Sequence, residues 1–326
     1  KMSQSRAALA ALATLATCTL SPFVAQAQPS STGPTIKFII THPAGGLPDT
    51  VARIVGRRLQ ERLNQTVVVE NRAGANGGIA VNAMTSAPAD GTTFVVTDGA
   101  ILSINPQLHS KLPYNPKDVA PVAVLATAPL FLAVHPSVPV STLKDFITHV
   151  KANPNKYNIG SAGVGSIHHI SLEALKTGLG LQISHIPYKG MGEAVPALLG
   201  GHVQMLFSAY PALAGAAGTK RVTLLATNSA KRSLQAANLP AISEVIPGFS
   251  YAPFVGVYAR VGTPAAVIQK ISAEAMAIVK EPDVIKQLAK VGVEPIGGGA
   301  AEFRKLLDGE IERVAKVVKA AGIQVK

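Results

Sequence analysis

The residues with the clearest chemical potential stand in a glycine-containing loop between an apolar run and a helical pattern. This segment extends from Thr41 to Arg53. Gly45 and Gly46 leave room for backbone N–H groups to face a ligand, and Asp49 can cap the following helix or fix bound water. Because the N–H groups and the dipole at a helix N-terminus favour negative charge, the segment indicates an anion site. An ordinary strand-to-helix turn explains the same residues equally well.

Three further loops have similar features. In the run Thr97 to Ala100, Asp98 can accept a hydrogen bond from a ligand or form an Asp-Gly turn. The segment Gly160 to Ser166 concentrates hydroxyl and N–H groups before a helix, which suits a carboxylate. It lacks the endings and glycine spacings of nucleotide-binding loops, so a nucleotide is not favoured. The run Tyr188 to Gly190 offers an aromatic ring, a positive charge and backbone donors, or is a packed turn with a solvated lysine.

Metal and catalytic chemistry are poorly represented. His168, His169 and His185 invite a metal interpretation, but their spacing matches no standard zinc site. The nucleophile elbow, a Ser-x-x-Lys with its supporting motifs and the zinc-protease motif are not found. We therefore predict no metal, no cofactor and no enzyme activity. A Ser/His/Asp triad is defined by geometry and not by sequence order, so an exported hydrolase of a small carboxylate ester stays open as the alternative.

The loops can form one site only if the secondary structure brings them together. Strands alternate with helices along the chain. Apolar runs predict strands at Ile36 to Ile40 and Thr93 to Thr97, and apolar residues recur at helical spacing from Val51 to Leu63. This alternation predicts an α/β fold with mostly parallel sheets covered on both faces. Ligands of such sheets bind beyond the carboxyl ends of the strands, which is where the loops lie.

Two proline-containing segments indicate that the chain forms two lobes. The segments Val134 to Pro139 and Ser250 to Phe254 are places where the chain would leave one lobe and return to it. We predict that residues 35–133 and 255–326 form lobe 1, that residues 134–254 form lobe 2, and that the ligand binds in the cleft between them.

Composition and the first residues indicate export. The chain has 326 residues, 48% of them hydrophobic, which is ample for a core. Residues 1–27 have a basic start, an apolar stretch and the small-residue ending Ala25 to Ala27 of a signal peptide, which predicts a periplasmic protein. The single cysteine, Cys18, lies in that segment, so the mature fold uses no disulfide. The net charge of +12 is scattered and not interleaved with aromatic residues, which argues against nucleic-acid binding.

Taken in order, the motifs resemble the Bug family of periplasmic solute receptors, which serve tripartite tricarboxylate transporters. The similarity extends from about Ile36 to Ile323. It rests on Pro43 to Arg53, Val67 to Ala75, Ala89 to Thr92, Ile104 to Pro106, Leu112 to Tyr114, Val134 to Ser137, Gly163 to Ser166 with His169, Pro187 to Gly190, Ala230 to Ser233, and Gly262 to Pro264.

The resemblance implies a type II-like, two-lobe periplasmic binding protein that holds a ligand carboxylate with backbone groups and ordered waters. It also implies a monomer that delivers a small carboxylate to the membrane components of a transporter. The expected ligand-binding residues are His42, Pro43, Ala44, Gly45, Gly46, Asp49, Thr97, Asp98, Gly99, Ala100, Gly163, Val164, Gly165, Ser166, His168, His169, Tyr188, Lys189, Gly190 and Ser208.

One departure bears on the ligand. Many relatives have Phe-Asp where this chain has Phe207-Ser208, so a carboxylate able to bind a ligand ammonium or hydroxyl is missing. This change argues against an amino acid ligand. His42 and His168, at variable positions, could receive a distal carboxylate or stack on a ring. Aliphatic dicarboxylates, citrate, aromatic dicarboxylates such as terephthalate, and nicotinate-like monocarboxylates all stay open.

Overall fold

The computed structural model describes residues 33–324, and the predicted signal peptide lies outside them. The strands are β1 Ile36–Ile40, β2 Val67–Asn71, β3 Thr93–Asp98, β4 Val119–Thr127, β5 Leu130–Val134, β6 Asn158–Ser161, β7 Ser184–Pro187, β8 Met205–Ala209, β9 Thr223–Thr227, β10 Phe254–Arg260 and β11 Glu294–Gly299. The helices are α1 Leu47–Leu63, α2 Gly78–Ser86, α3 Ala100–Ser103, α4 Asn105–Leu108, α5 Leu143–Ala152, α6 Ile167–Leu179, α7 Met191–Leu199, α8 Tyr210–Gly218, α9 Ala265–Ile278, α10 Pro282–Lys290 and α11 Ala300–Ala321.

The strands form two sheets. The first has the order β11-β4-β10-β3-β1-β2 and the second the order β7-β6-β8-β5-β9. In the first sheet, β1, β2, β3 and β4 run in one direction, whereas β10 and β11 run against them. In the second sheet only β5 runs against the others. The predicted α/β fold with two lobes and mostly parallel sheets is confirmed.

Two of the three opposed strands, β5 and β10, follow a passage between the sheets. β4 ends at Thr127 in the first sheet, and β5 begins at Leu130 in the second. The chain returns after β9, and β10 enters the first sheet between β3 and β4. The first passage therefore precedes β5, a few residues before the predicted start of lobe 2.

Each sheet has its own apolar core, because its strands are buried on both faces by helices. The core of the first sheet includes Phe38, Phe94 and Val257, and that of the second includes Leu132, Ile159 and Phe207, all at most 1% exposed. Burying side chains of this size contributes ~1.5–3 kcal/mol each. Two rigid lobes can therefore carry a site between them.

The last helix, α11, belongs to both cores. Phe303 and Leu307 in its first half pack with the first sheet, whereas Val314 and Val317 in its second half pack with the second sheet. One helix thus bridges the lobes, although residues 255–326 were all predicted in lobe 1. None of the helices in residues 33–324 is both long and apolar enough to cross a membrane.

Candidate functional site

A cavity of about 950 Å³ lies between the two lobes. The first lobe lines it with residues after β1 and β3, and the second lobe with residues after β6 and β8. The cavity therefore opens beyond the carboxyl ends of strands from both sheets, where ligands of open α/β sheets bind.

The loop between β1 and α1 presents a helix N-terminus to the cavity. Gly46 is the N-cap residue of α1 and provides no side-chain hydrogen bond to the first turn, and Pro48 follows in that turn. The N–H groups of the first helical turn have no partner within a helix. Leu47 lines the cavity, so its N–H is available to a ligand anion.

The Asp49 carboxylate stabilises this loop through hydrogen bonds. Its Oδ2 accepts the Gly45 N–H at 2.8 Å, and its Oδ1 accepts hydrogen bonds from Asn71 Nδ2 at 2.9 Å and from the Arg53 guanidinium at 3.0 Å. Burial of the carboxyl raises its pKa, but hydrogen bonds from Arg53, Gly45 and Asn71 outweigh that effect, so the pKa of Asp49 lies below its usual value. Asp49 is a charged anchor for the loop and is absent from the cavity lining.

The loop between β6 and α6 presents a second helix N-terminus from the other lobe. The Ser166 side chain caps α6 by accepting the His169 N–H at 3.2 Å and donates to the Gly163 carbonyl at 2.7 Å. His169 Nδ1 accepts the Gly165 N–H at 3.1 Å. The loop from Val164 to His168 is thereby held against the cavity.

A pair of stacked histidines supports this second loop. The rings of His169 and His185 stack with their centroids 4.0 Å apart, and His169 Nε2 lies 3.7 Å from Glu173 Oε1. His185 Nε2 is hydrogen bonded to Ser161 Oγ at 2.6 Å. Burial, together with the charge of His169, lowers the pKa of His185 to about 4. Ser161 is fully buried and does not line the cavity, so this Ser-His pair is not presented to a substrate.

The loop after β3 adds polar groups of the first lobe. Asp98 accepts the Ala100 N–H at 3.0 Å and lies 3.6 Å from His42 Nε2. The Thr41 hydroxyl is hydrogen bonded to the Thr97 hydroxyl and lies 2.8 Å from His42 Nδ1. Both ring nitrogens of His42 therefore face polar partners, which fixes the orientation of the imidazole at the edge of the cavity.

The helix α11 contributes a buried carboxyl group to the lining. Glu310 is 4% exposed, and its Oε2 has no hydrogen-bond partner in the structure. A Cβ atom on Gly99 would come within 2.1 Å of that oxygen, so only glycine fits there. Burial raises the pKa of Glu310 to about 7, and the charge of Asp98 adds to this effect. This carboxyl carries a proton for much of the time near neutral pH.

The predicted site residues fall into two groups in the structure. Those that line the cavity are His42, Pro43, Gly45, Thr97, Asp98, Gly99, Ala100, Val164, Gly165, Ser166, His168 and Ser208. Those outside the lining are Ala44, Gly46, Asp49, Gly163, His169, Tyr188, Lys189 and Gly190. Several of the residues outside the lining stabilise the loops that line the cavity. Tyr188, for example, donates its N–H to the Ser161 carbonyl at 3.1 Å.

Sequence reasoning missed part of the lining. The turn Ala73 to Gly77, the residues Asn105 and His109, and Glu310 all face the cavity. Asn105 Nδ2 donates to the Asn76 carbonyl at 2.8 Å and Asn76 Nδ2 lies 2.9 Å from His109 Nε2, so these residues form one wall. A signal for Glu310 existed, because it occupies a position of the apolar stripe Phe303, Leu307, Val314 and Val317.

The charge of the lining is unusual for an anion site. Within residues 33–324, no lysine or arginine lines the cavity, and its acidic members are Asp98 and Glu310. In the same described part of the chain, no group of three or more histidine, cysteine or acidic residues could hold a metal ion. Positive potential therefore comes from the N-termini of α1 and α6.

Comparison with known proteins agrees with this geometry. The family model described as "Tripartite tricarboxylate transporter family receptor" matches residues 51–323. Protein BugT of Bordetella pertussis is 32% identical over 294 residues, which cover 89% of this chain and 90% of BugT. The chain therefore belongs to the tripartite tricarboxylate transporter receptor family.

Two solved structures with bound ligands are similar throughout. The Rpa4515 protein of R. palustris with adipate has a TM-score of 0.76 and 32% identity, covering 89% of this chain and 98% of that one. MatC (Rpa3494) from Rhodopseudomonas palustris with bound malate has a TM-score of 0.70 and 27% identity, covering 87% of this chain and 98% of that one. Both superpose over the two lobes that form the cavity.

Proposed function

We propose that this protein is a periplasmic receptor that binds a small carboxylate between its lobes and delivers it to the membrane components of a tripartite tricarboxylate transporter. The observation that carries the proposal is that the N-termini of α1 and α6, one from each lobe, face one cavity of about 950 Å³. A ligand that contacts both helices binds the closed arrangement of the lobes better than the open one, and so favours closure.

The ligand class follows from the lining and the relatives. Adipate and malate, bound by two solved relatives, are both dicarboxylates. Ser208 is 2% exposed and lines the cavity at the position where many relatives have aspartate, so no carboxylate is present there for a ligand ammonium. We therefore favour a ligand with carboxylates and no amine, aliphatic or aromatic, with terephthalate among the candidates.

Location and partners are part of the same proposal. The signal peptide predicted for residues 1–27 directs the protein to the periplasm, where the mature chain acts as a monomer without a cofactor. The proposed role is binding without turnover. The hydrolase alternative would need an exposed nucleophile, whereas Ser161, which is hydrogen bonded to His185, is buried and does not line the cavity.

A thermal-shift screen tests the proposal most simply. The mature protein, refolded to remove carried-over ligand, is heated with adipate, malate, citrate, terephthalate, nicotinate or amino acids. A ligand at a hundredfold its Kd stabilises the folded state by about 2.7 kcal/mol and raises Tm by about 5 °C or more. Calorimetry then measures affinity, and chromatography of the mixture looks for product. A hit confined to carboxylates and recovered unchanged supports a receptor, whereas turnover, or no carboxylate hit, contradicts the proposal.

A further inference from the structure

Two buried side-chain polar atoms in residues 33–324 are without a hydrogen-bond partner, His168 Nδ1 and Glu310 Oε2. Both residues line the interlobe cavity. Buried polar atoms in native structures are nearly always paired, because leaving one unpaired is costly. Their coincidence in one cavity indicates that a ligand supplies the missing partners.

Glu310 lies where α11 passes from one lobe to the other. The buried residues before it, Phe303 and Leu307, pack with the first sheet, and those after it, Val314 and Val317, pack with the second. A glutamate in this apolar stripe does not contribute to either core. Its carboxyl instead lines the cavity beside Gly99, on a different element from the β1–α1 and β6–α6 loops.

The surroundings of Glu310 keep a proton on its carboxyl. Asp98 faces it from the end of β3 and Tyr258 from β10, while Arg313 follows one turn later on α11. Burial is the largest influence and raises the pKa of Glu310 to about 7, whereas a hydrogen bond from Ser103 and the charge of Arg313 act in the opposite direction.

The neighbouring helices add imidazoles to this surrounding. His168 on α6 and His109 at the end of α4 line the same cavity. Burial lowers the pKa of His168 to about 4, so its ring is neutral at pH 7. A neutral imidazole can donate from one nitrogen and accept at the other. Near pH 7 this part of the cavity therefore offers uncharged donors in place of fixed cations.

We propose that Glu310 and His168 form a second subsite, in which the Glu310 carboxyl donates its proton in a hydrogen bond to the distal carboxylate of a dicarboxylate ligand. This inference rests on the proposed function, which places the first carboxylate at the loops. A hydrogen bond between a carboxyl and a carboxylate is charge-assisted and about twice as strong as a neutral one. The receptor thus selects dicarboxylates and binds each one together with a proton.

Calorimetry at pH 6, 7 and 8, in buffers of different ionisation enthalpy, measures this proton directly. The probes are adipate and terephthalate, each paired with its monomethyl ester, which keeps one carboxylate and loses the other. We expect the wild type to take up close to one proton per dicarboxylate at pH 8 and little at pH 6. Above pH 7 its affinity should fall about tenfold per pH unit, because only the protonated form binds. The monomethyl esters should bind more weakly.

Variants test the contribution of the second subsite independently of the rest of the cavity. Glu310→Gln keeps a donor that cannot titrate, so proton uptake should vanish and adipate should bind about tenfold more tightly than to the wild type at pH 8. Glu312→Gln, at an exposed position on the same helix, is the matched control and should behave as the wild type. His168→Leu should weaken binding of the dicarboxylate more than binding of its monomethyl ester.

The outcomes distinguish the two proposals. Dicarboxylate binding without proton uptake, with the same pH profile in Glu310→Gln, would overturn the second subsite and leave the receptor function standing. Equal affinity for a dicarboxylate and its monomethyl ester would do the same. If neither the probes nor any other carboxylate of the screen binds the wild type, the receptor function itself fails.

Discussion

The β1–α1 loop of the first lobe and the β6–α6 loop of the second are built on the same plan with different chemistry. In each, a glycine with a positive φ, 83° at Gly45 and 79° at Gly165, precedes a helix N-terminus that faces the cavity. In each, the N–H of that glycine is accepted by the side chain four residues later, Asp49 or His169. The acceptor is a carboxylate in the first lobe and an imidazole in the second.

The difference shows two ways to hold an anion-binding loop. Asp49 adds a negative charge close to the site, which Arg53 and Asn71 offset through direct hydrogen bonds. In the second lobe the acceptor is an imidazole, and the carboxylate of Glu173 stands behind it at 3.7 Å from His169 Nε2. The first loop is therefore anchored more strongly, whereas the second depends on an unprotonated ring nitrogen.

The largest effect is expected from Asp49→Ala. Removing a charged acceptor costs about 1.5–3 kcal/mol, so affinity for adipate or for the best carboxylate of the screen should fall tenfold or more while the protein stays folded. Calorimetry measures the affinity, and circular dichroism checks the fold. Asp49→Asn keeps an oxygen acceptor for Gly45 and should lose less. Unchanged affinity in Asp49→Ala would show that this loop does not hold the ligand.

A smaller effect is expected from His169→Ala in the second lobe. The lost hydrogen bond is not anchored by a charge and contributes about 1 kcal/mol, so affinity should fall about fivefold. His169→Asn can place an oxygen near the position of Nδ1 and should recover part of the loss. If His169→Ala weakened binding more than Asp49→Ala, the order of anchoring inferred for the two loops would be wrong.

The last effect concerns stability in acid instead of ligand affinity, and it again separates the lobes. The pKa of His185 in the folded protein, about 4, lies below its ordinary value of 6.5, so the unfolded chain binds more protons between these values. The stability contributed by His185 is present above pH 6.5 and is lost as pH falls through 4. Thermal melts from pH 7 to 4.5 should show a falling Tm, with a shallower fall in His185→Asn. Asp49, whose pKa is lowered, keeps its charge over this range.

If Tm fell equally steeply with pH in the wild type and in His185→Asn, His185 would not contribute to the loss of stability in acid. His202→Asn is a suitable control, because His202 is exposed in the second lobe and should leave the slope unchanged.

Much of the architecture could be predicted from local patterns. The bounds of β1 agree with its apolar run, β3 extends one residue beyond the run at Thr93 to Thr97, and α1 ends at Leu63 as its helical spacing predicts. The strand β11 was missed, because Pro295 and three glycines give it no strand pattern. It exists as an edge strand with an irregular register, a position that tolerates proline.

The loops of the site were predictable because glycine and a helix start mark them in sequence. Their supports were harder to assign, since a side chain such as Asp49 or His169 can face a ligand or its own loop, and only geometry decides between the two. Glu310 was missed for a different reason. The apolar stripe of α11 marks it as buried, but it is more than 260 residues from the first loop, and the crossing of α11 between the lobes, on which its role depends, is not visible in that stripe.

A crystal structure of the mature protein with the best carboxylate of the screen tests the central claim most directly. We predict one ligand in the interlobe cavity, with oxygens within hydrogen-bond distance of N–H groups at the starts of both α1 and α6. A dicarboxylate should also reach Glu310. A ligand that contacts only one lobe, or binds outside this cavity, would contradict the account.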